Sequence, residues 1–489
     1  MNISSNGKLK TDKLTKKEIV FFGMGDLFGG GGGALVNGIL LTYLVLMGLE
    51  PWMGGLIVGL ARIWDAVIDP VLGVFSDNTR TKWGRRRPFI FFGGLFIPLA
   101  LLWLFAPLYA MNSVWLKFFI YLFGYLFYNT VSSVVTLTYN AMSSEVSCDY
   151  KERNTVNTVR LVFSMLAGGV TALAPVELMG AYLNQSISIG TVYLIIVVGF
   201  GLFFTIPVLL SAIYSKERVT LPEEKSTFTI KSFLTPFRVK AFWYILGMYF
   251  FAYACTDIIT ANLIFFVKYA LDASASATIM LLLIVGITAL VAPLMYIAMR
   301  KGVAKPLLYR LGIPFYIVGA LALSLYQGAN ALIIYLFCGI IGLGASSMMF
   351  PWIIFPDVMD VAELKLGNRP TGSFSGVMSF IKTAGSGIAV ALVGAVLSLT
   401  GFQKPETDPI TGSIIREFTQ PQSALWGLRL VIIIPVIIMM SAAFYCALKL
   451  KLNQKRVDVL KTLIEHKQQD IPIEGELLAE YQSIEKDLF

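Results

Sequence analysis

Asp65 and Asp69 stand four residues apart in the stretch Leu60-Ala-Arg-Ile-Trp-Asp-Ala-Val-Ile-Asp-Pro70, with Arg62 just before them. That spacing puts both carboxylates on one face of a helix. Side by side they offer several oxygen ligands to a hard cation such as Na⁺. Their mutual repulsion also makes H⁺ an alternative occupant. The opposing reading is that Arg62 neutralises one aspartate and the group only braces a bundle, which still leaves a carboxylate to compensate.

The surrounding run from Met53 to Phe75 is otherwise apolar. A charge near the centre of a bilayer costs about 2.5 to 3.5 kcal/mol on insertion scales, so three ionisable groups on one spanning helix imply a partner, a polar cavity or a bound cation. Composition agrees that the chain lives in a membrane. Apolar residues make up 56% of 489 and charged residues 14%, with a mean hydropathy of +0.72. Soluble domains hold about 25% charged residues.

Apolar runs long enough to cross the hydrocarbon core lie near 19–48, 53–76, 88–110, 115–141, 156–178, 190–214, 242–270, 275–299, 307–327, 331–355, 373–401 and 424–448. The expected fold class is therefore an all-α membrane protein with twelve transmembrane helices. Polar residues inside spans one, two, five and seven require those spans to line a cavity.

Lys and Arg concentrate in Lys8 to Lys17, Arg80 to Arg87, the segment Lys216 to Lys240, and Lys449 to Lys486, with little but Lys404 and Arg416 between the alternate spans. The positive-inside pattern then places both termini in the cytoplasm of a multi-pass protein of the cell's inner membrane. The formal charge of +9 is accounted for by orientation and contact with anionic lipid, and a nucleic-acid partner is not expected. The first apolar run is too long for a cleavable signal. Cys148, Cys255, Cys338 and Cys446 have no paired spacing, so neither a disulfide framework nor a cysteine metal site is indicated.

The polar segment from Tyr214 to Lys240 separates six spans from six, the layout of transporters built from two related halves around a central cavity. The expected organisation is a cytoplasmic N-terminal segment (1–18), a first six-helix bundle (19–214), a cytoplasmic linker (215–241), a second bundle (242–448) and a cytoplasmic tail (449–489). Asp257 in span seven stands roughly where span one carries Asp26. In the tail, Val457, Leu460 and Ile464 have helical spacing, so a short amphipathic helix packing loosely on the cytoplasmic face is expected.

Between spans two and three runs Gly73-Val-Phe-Ser-Asp77, then Arg80, Lys82, Gly84 and Arg85-Arg86-Arg87. It resembles the 2–3 loop signature of the major facilitator superfamily. Its expected use is a gating clamp of Asp77, Arg85 and Arg86, with Asp77 meeting a basic residue or a helix end. With Ala61 to Pro70, Thr81-Lys-Trp-Gly-Arg-Arg-Arg-Pro88, Asp149-Tyr-Lys-Glu-Arg153, Arg160, Pro356-Asp357-Val-Met-Asp360-Val-Ala-Glu363-Leu-Lys365 and Lys382, the chain is similar over most of its length to the glycoside-pentoside-hexuronide:cation symporter family.

That resemblance implies the major facilitator fold of two six-helix bundles and cation-coupled symport of a sugar by alternating access. It places the coupling Na⁺ or H⁺ at Asp65 and Asp69. The helix-four position that often holds Asp or Asn in the family reads Thr136 here, with Ser133 one turn earlier, so both join the candidate cation site. Arg160 and Lys382 match basic residues of the family's sugar cavity. They would pair with Asp65, Asp69 or Asp26, donate to hydroxyls, or meet a carboxylate on a hexuronide.

Asp26 either serves the sugar or proton coupling, or faces water near the end of its span. Trp352 and Trp64 either face a sugar ring or pack in the bundle. The run Gly29 to Gly33 either thins the first helix beside a cavity or packs it tightly on a neighbour. No cofactor beyond the coupling ion is implied, and a monomer is expected. A cation-coupled lipid or lysophospholipid transporter of the same superfamily is the alternative. An enzyme is not, since the sole histidine, His466, lies in the polar tail and no nucleophile–base set accompanies it.

Overall fold

Short polar side chains and prolines mark where the helices begin. Thr15 accepts from the Glu18 N–H while Glu18 returns a bond to Thr15, a capping box that opens α1 (Lys16–Met24). Ser113, Ser188, Ser276, Asn330 and Asn453 cap later helices with a single side-chain oxygen that accepts a backbone N–H. Prolines occupy the first turn of four more, where the missing N–H does no harm.

The computed structural model describes residues 14–143, 145–147, 149–218, 234–271, 276–367, 371–469, 472 and 474–489. After α1 come α2 (Asp26–Leu46), α3 (Pro51–Asn78), α4 (Arg87–Leu104), α5 (Val114–Met142), α6 (Tyr150–Leu183), α7 (Ile189–Leu194) and α8 (Gly201–Tyr214), the last two joined by a π-helical turn. Beyond the linker follow α9 (Lys240–Phe265), α10 (Ala277–Arg300), α11 (Lys305–Leu325), α12 (Ala331–Ala345), α13 (Phe350–Leu366), α14 (Thr371–Leu399) and α15 (Gln422–Lys449). Two tail helices, α16 (Gln454–Gln468) and α17 (Gly475–Leu488), complete the chain.

Among the described residues, eleven continuous helical stretches are long and apolar enough to cross a membrane. The 28-residue α3, about 42 Å long at 1.5 Å per residue, supplies the remaining expected span.

The chain divides into two compact units, one comprising Met1–Phe228 with Lys404–Phe418 and the other Thr229–Gln403 with Thr419–Phe489. In the first unit α2 packs on α6, α3 on α5, and α4 on α5 and α8. In the second, α9 packs on α14 and α15, α11 on α12 and α15, and α10 on α12.

The segment Lys404–Phe418 connects α14 to α15 yet groups with the first unit. It forms a two-stranded antiparallel pair, β1 (Glu406–Thr407) and β2 (Ile414–Arg416). Lys404 donates to the Gly48 carbonyl at 2.7 Å and to Glu50 at 2.8 Å, and the Tyr182 hydroxyl donates to the Gly412 carbonyl at 2.7 Å. Gly412 has φ +66°, and a Cβ there would come within 2.7 Å of Tyr109 and Ile189. Only glycine fits that close approach.

Two sequence expectations are decided here. The glycine run does not thin the helix beside a cavity but packs it: α2 continues through Gly29 to Gly33, and the missing side chains are exchanged for contact with α6 and α8. A Cβ on Gly30 would lie 2.2 Å from the Ser164 carbonyl oxygen, and one on Gly31 would lie 2.7 Å from Phe204. The tail is not loosely packed either. Val457, Leu460 and Leu463 of α16 are buried with Ile484 and Leu488 of α17, α16 lies on α13, and Lys467 donates to the Leu364 carbonyl at 2.7 Å.

Candidate functional site

Helix α3 carries Asp65 and Asp69 one turn apart, and α5 holds it in register. The Asn129 side chain donates to the Ala61 carbonyl at 2.9 Å, and the Trp64 indole donates to the Thr130 hydroxyl at 3.0 Å. These bonds set Ser133, one turn along α5, against the acidic face, where its hydroxyl donates to Asp65 Oδ1 at 2.8 Å. Pro70 lies inside α3 and has no N–H, so the Ala66 carbonyl loses its regular helix donor beside the carboxylates.

Arg62 divides its attention. Its guanidinium donates to Asn37 of α2 and stands 3.8 Å from Asp65 Oδ2. Among the described residues Asp69 has no such counter-charge. Its Oδ1 is buried and makes no hydrogen bond, so the face combines one compensated carboxylate, one with an orphan oxygen, a hydroxyl and a carbonyl short of its donor. Oxygen-rich, anionic and short of donors, it suits a small hard cation or a proton. Thr136 sits on the same helix as Ser133, but its hydroxyl donates to the Ser132 carbonyl at 2.8 Å. The structure thus brings Asp65, Asp69 and Ser133 together and turns the Thr136 proton back to its own helix.

A second charged site lies between α2 and α6. Asp26 Oδ2 is 3.0 Å from Arg160 Nε, and the Arg160 guanidinium lies over the Tyr139 ring at 5.5 Å. A Cβ on Gly29 would lie 2.2 Å from Asp26 Oδ1, so glycine one turn on is what lets the aspartate fold back along α2. Asp26 is 5% exposed, which excludes the water-facing alternative.

In the second unit, Lys382 of α14 faces Asp257 of α9 at 3.6 Å and lies over the Tyr253 ring at 5.8 Å. Asp257 is the partner that sequence reasoning missed, although its place in span seven, corresponding to that of Asp26 in span one, was the available signal. Asp257 Oδ2 is buried without a hydrogen bond. Trp352 packs edge-on to Tyr249 at 5.5 Å and beside Phe355, and keeps 40% of its surface exposed.

The family described as MFS/sugar transport protein matches residues 21–454, nearly all of the two bundles. The chain belongs to that family. It is 26% identical to an uncharacterized symporter of Synechocystis sp., over 86% of this chain and 91% of the relative. It is 25% identical to the isoprimeverose transporter of Lactiplantibacillus pentosus, over 74% of this chain and 76% of that one. Among solved structures, the nucleoside transporter NupG in a mutant form shares the fold, with a TM-score of 0.58 at 12% identity, covering 88% of this chain and 98% of that one. This family consists of transporters, and the major facilitator fold is the one described above.

This family member also carries the charged 2–3 loop, and acids from outside the loop take part in it. Arg85 pairs with Glu145 beyond α5, and Arg86 approaches the same carboxylate at 3.6 Å while donating to Ser76 at 2.6 Å. Glu217, just after α8, accepts from the backbone N–H groups of Arg85, Arg86 and Arg87 at 2.9, 2.8 and 3.2 Å. A carboxylate on the positive N-terminal end of α4 is favourable in its own right. The side chain of Asp77 lies outside the described residues, so the acids found in the clamp are Glu145 and Glu217, which the sequence reading did not single out. No spacing rule links them to the loop; only the fold brings them there.

Proposed function

We propose that this chain is a secondary active symporter of the inner membrane, with both termini cytoplasmic, that moves a neutral sugar inward together with one cation bound at Asp65 and Asp69. The observation that carries the reading is the buried, unbonded Asp69 oxygen on a helix meant to cross lipid. An anionic carboxylate in that setting needs a positive partner, and Arg62 is already engaged by Asn37 and Asp65. The relatives named as symporters and as an isoprimeverose transporter support a saccharide as the co-transported species.

Neutrality follows from the ion pairs. Arg160 has Asp26 and Lys382 has Asp257, so the carboxylate of a hexuronide would displace one of these aspartates and orphan its charge. A neutral sugar needs only hydrogen bonds and a ring face, such as the half-exposed Trp352 offers.

Energetically, a cation falling through 100 mV gains about 2.3 kcal/mol, enough for a roughly fifty-fold sugar gradient. Tight coupling requires the cation to raise sugar affinity and only the empty or doubly loaded forms to interconvert readily. The test is uptake by right-side-out vesicles offered neutral glycosides, pentosides, hexuronides and lysophospholipids, with Na⁺ and H⁺ gradients imposed separately. Gradient-dependent accumulation of a neutral sugar, abolished by Asp69→Asn, is the expected result. Accumulation left intact in both Asp65→Asn and Asp69→Asn sinks the cation site. Uptake confined to hexuronides or to lysophospholipids sinks the substrate assignment.

A further inference from the structure

Where α15 ends and the tail begins, the second unit forms a cleft of about 320 Å³ that is open on one side. Its walls include Arg310, Lys451 and Arg456, together with Ala304, Asn453 and Leu448. The volume is that of a small-molecule site, which typically starts near 300 Å³. The cavity takes no part in the sugar and cation scheme above.

Its charge is unbalanced. Of the three cations, Lys451 and Arg456 share one carboxylate, Asp487, at 3.0 and 2.9 Å. Arg310 has no carboxylate partner among the described residues. Its one hydrogen bond runs from Nε to the Pro306 carbonyl of its own helix at 3.2 Å, which leaves the two terminal nitrogens uncommitted. Three cations against one acid leave the lining with an excess of two positive charges.

Two helices also begin here. Ala304 is the N-cap of α11 and makes no side-chain capping bond, and Asn453 is the N-cap of α16. Helix N-termini add partial positive charge and backbone donors. The C-terminal end of α15 opposes them, but the Lys451 carbonyl at that end already accepts from Arg456 at 3.2 Å.

We propose that this cavity binds a phosphate-bearing anion. A tetrahedral anion carrying up to two charges matches the excess, and a guanidinium with both terminal nitrogens open meets two phosphate oxygens at once. Two sources share that chemistry: the headgroup of an anionic phospholipid, with its chains along exposed Leu448 and Leu311, and a soluble phosphorylated metabolite. In either case the ligand bridges α11, the end of α15 and α16. Because it binds the docked tail and not a released one, its binding energy holds the tail in place.

The experiment uses the full chain, purified and placed in nanodiscs. Retention of phosphatidylglycerol over phosphatidylcholine is read by native mass spectrometry, and binding of inorganic phosphate and glucose 6-phosphate by calorimetry. Arg310→Gln removes the open guanidinium without touching the Asp487 pairs and weakens binding of the occupant on the order of tenfold or more, the worth of a charge-assisted bond. Arg310→Lys recovers part of it, and Lys301→Gln, which is not part of the lining, leaves it unchanged. Loss of phosphatidylglycerol retention in Arg310→Gln identifies the lipid, and loss of the glucose 6-phosphate or phosphate signal identifies the soluble ligand. If wild-type protein prefers none of these probes, or if Arg310→Gln binds as wild type does, the proposal is overturned.

Discussion

The two units place charge alike at two levels and differently at a third. In the first, an acid of span one meets a base of span five, Asp26 with Arg160; in the second, an acid of span seven meets a base of span eleven, Asp257 with Lys382. Each unit also ties the start of its third span to an acid at the end of its fourth. Arg85 and Arg86 do so with Glu145, and Lys305 does so with Asp357 at 2.7 Å. Such repetition is what two related halves predict.

The second helix breaks the pattern. Span two carries Arg62, Asp65 and Asp69, while its counterpart α10 has no charged residue in its span from Ala277 to Met299. One half thus carries a surplus carboxylate on its second span and the other does not, and the proposed cation site rests on that difference.

The largest expected effect falls on this difference. Asp69→Asn reduces sugar accumulation at 100 mV by up to about fifty-fold, the full share of one coupled charge. Counterflow exchange, which needs no gradient, falls much less. An Asp69→Asn protein that still concentrates sugar would erase the distinction between the halves.

Next come the matched pairs. Arg160→Ala leaves Asp26 buried without its counter-charge, and removing one partner of such a pair costs about 3 to 5 kcal/mol. The double change Asp26→Asn with Arg160→Gln restores much of this in a thermal-shift assay. The equivalent single change Lys382→Ala costs less, because the side chains of its pair are 23 and 26% exposed against 7 and 17% for those of Asp26 and Arg160. Equal losses in the two units would show that depth of burial is not what separates them.

Packing gives a smaller contrast. Gly30→Ala drives a methyl into the Ser164 backbone oxygen and is destabilising by about 1 to 3 kcal/mol, whereas Gly33→Ala meets nothing within 4 Å and stabilises α2 slightly. Melting temperatures that move the same way in both variants would refute the packing account of the glycine run.

The smallest effect concerns the tail. Burial opposes ionisation of Asp487, but hydrogen bonds from Lys451 and Arg456 and their charges outweigh it and hold the carboxyl below its usual range. Its contribution to tail docking is therefore present above the unfolded pKa of about 3.9 and disappears as pH falls through the lower folded value. Proteolysis of the tail increases at that acid end and not between pH 6 and 8. An Asp487→Asn tail, already lacking the charge, loses the acid step.

The span pattern was legible because hydropathy and length are local properties, and so was the acidic face of α3, since four-residue spacing fixes which side chains share a helix face. The partners were not. Lys382 had Asp65, Asp69 and Asp26 as readable candidates, yet it faces Asp257 of its own unit. Nothing in the 2–3 loop pointed to Glu145 and Glu217, which bind its arginines and the start of α4.

By itself, then, the sequence determined that the chain crosses a membrane about twelve times and that its second span bears more acid than its own arginine can neutralise. Tertiary structure alone decided which carboxylate keeps an unbonded oxygen, which bases are already satisfied, and that the tail is docked. The reason is physical: periodicity is set by the backbone one turn at a time, but an ion pair forms wherever helices distant in sequence come within a few ångströms, and no spacing along the chain records that distance.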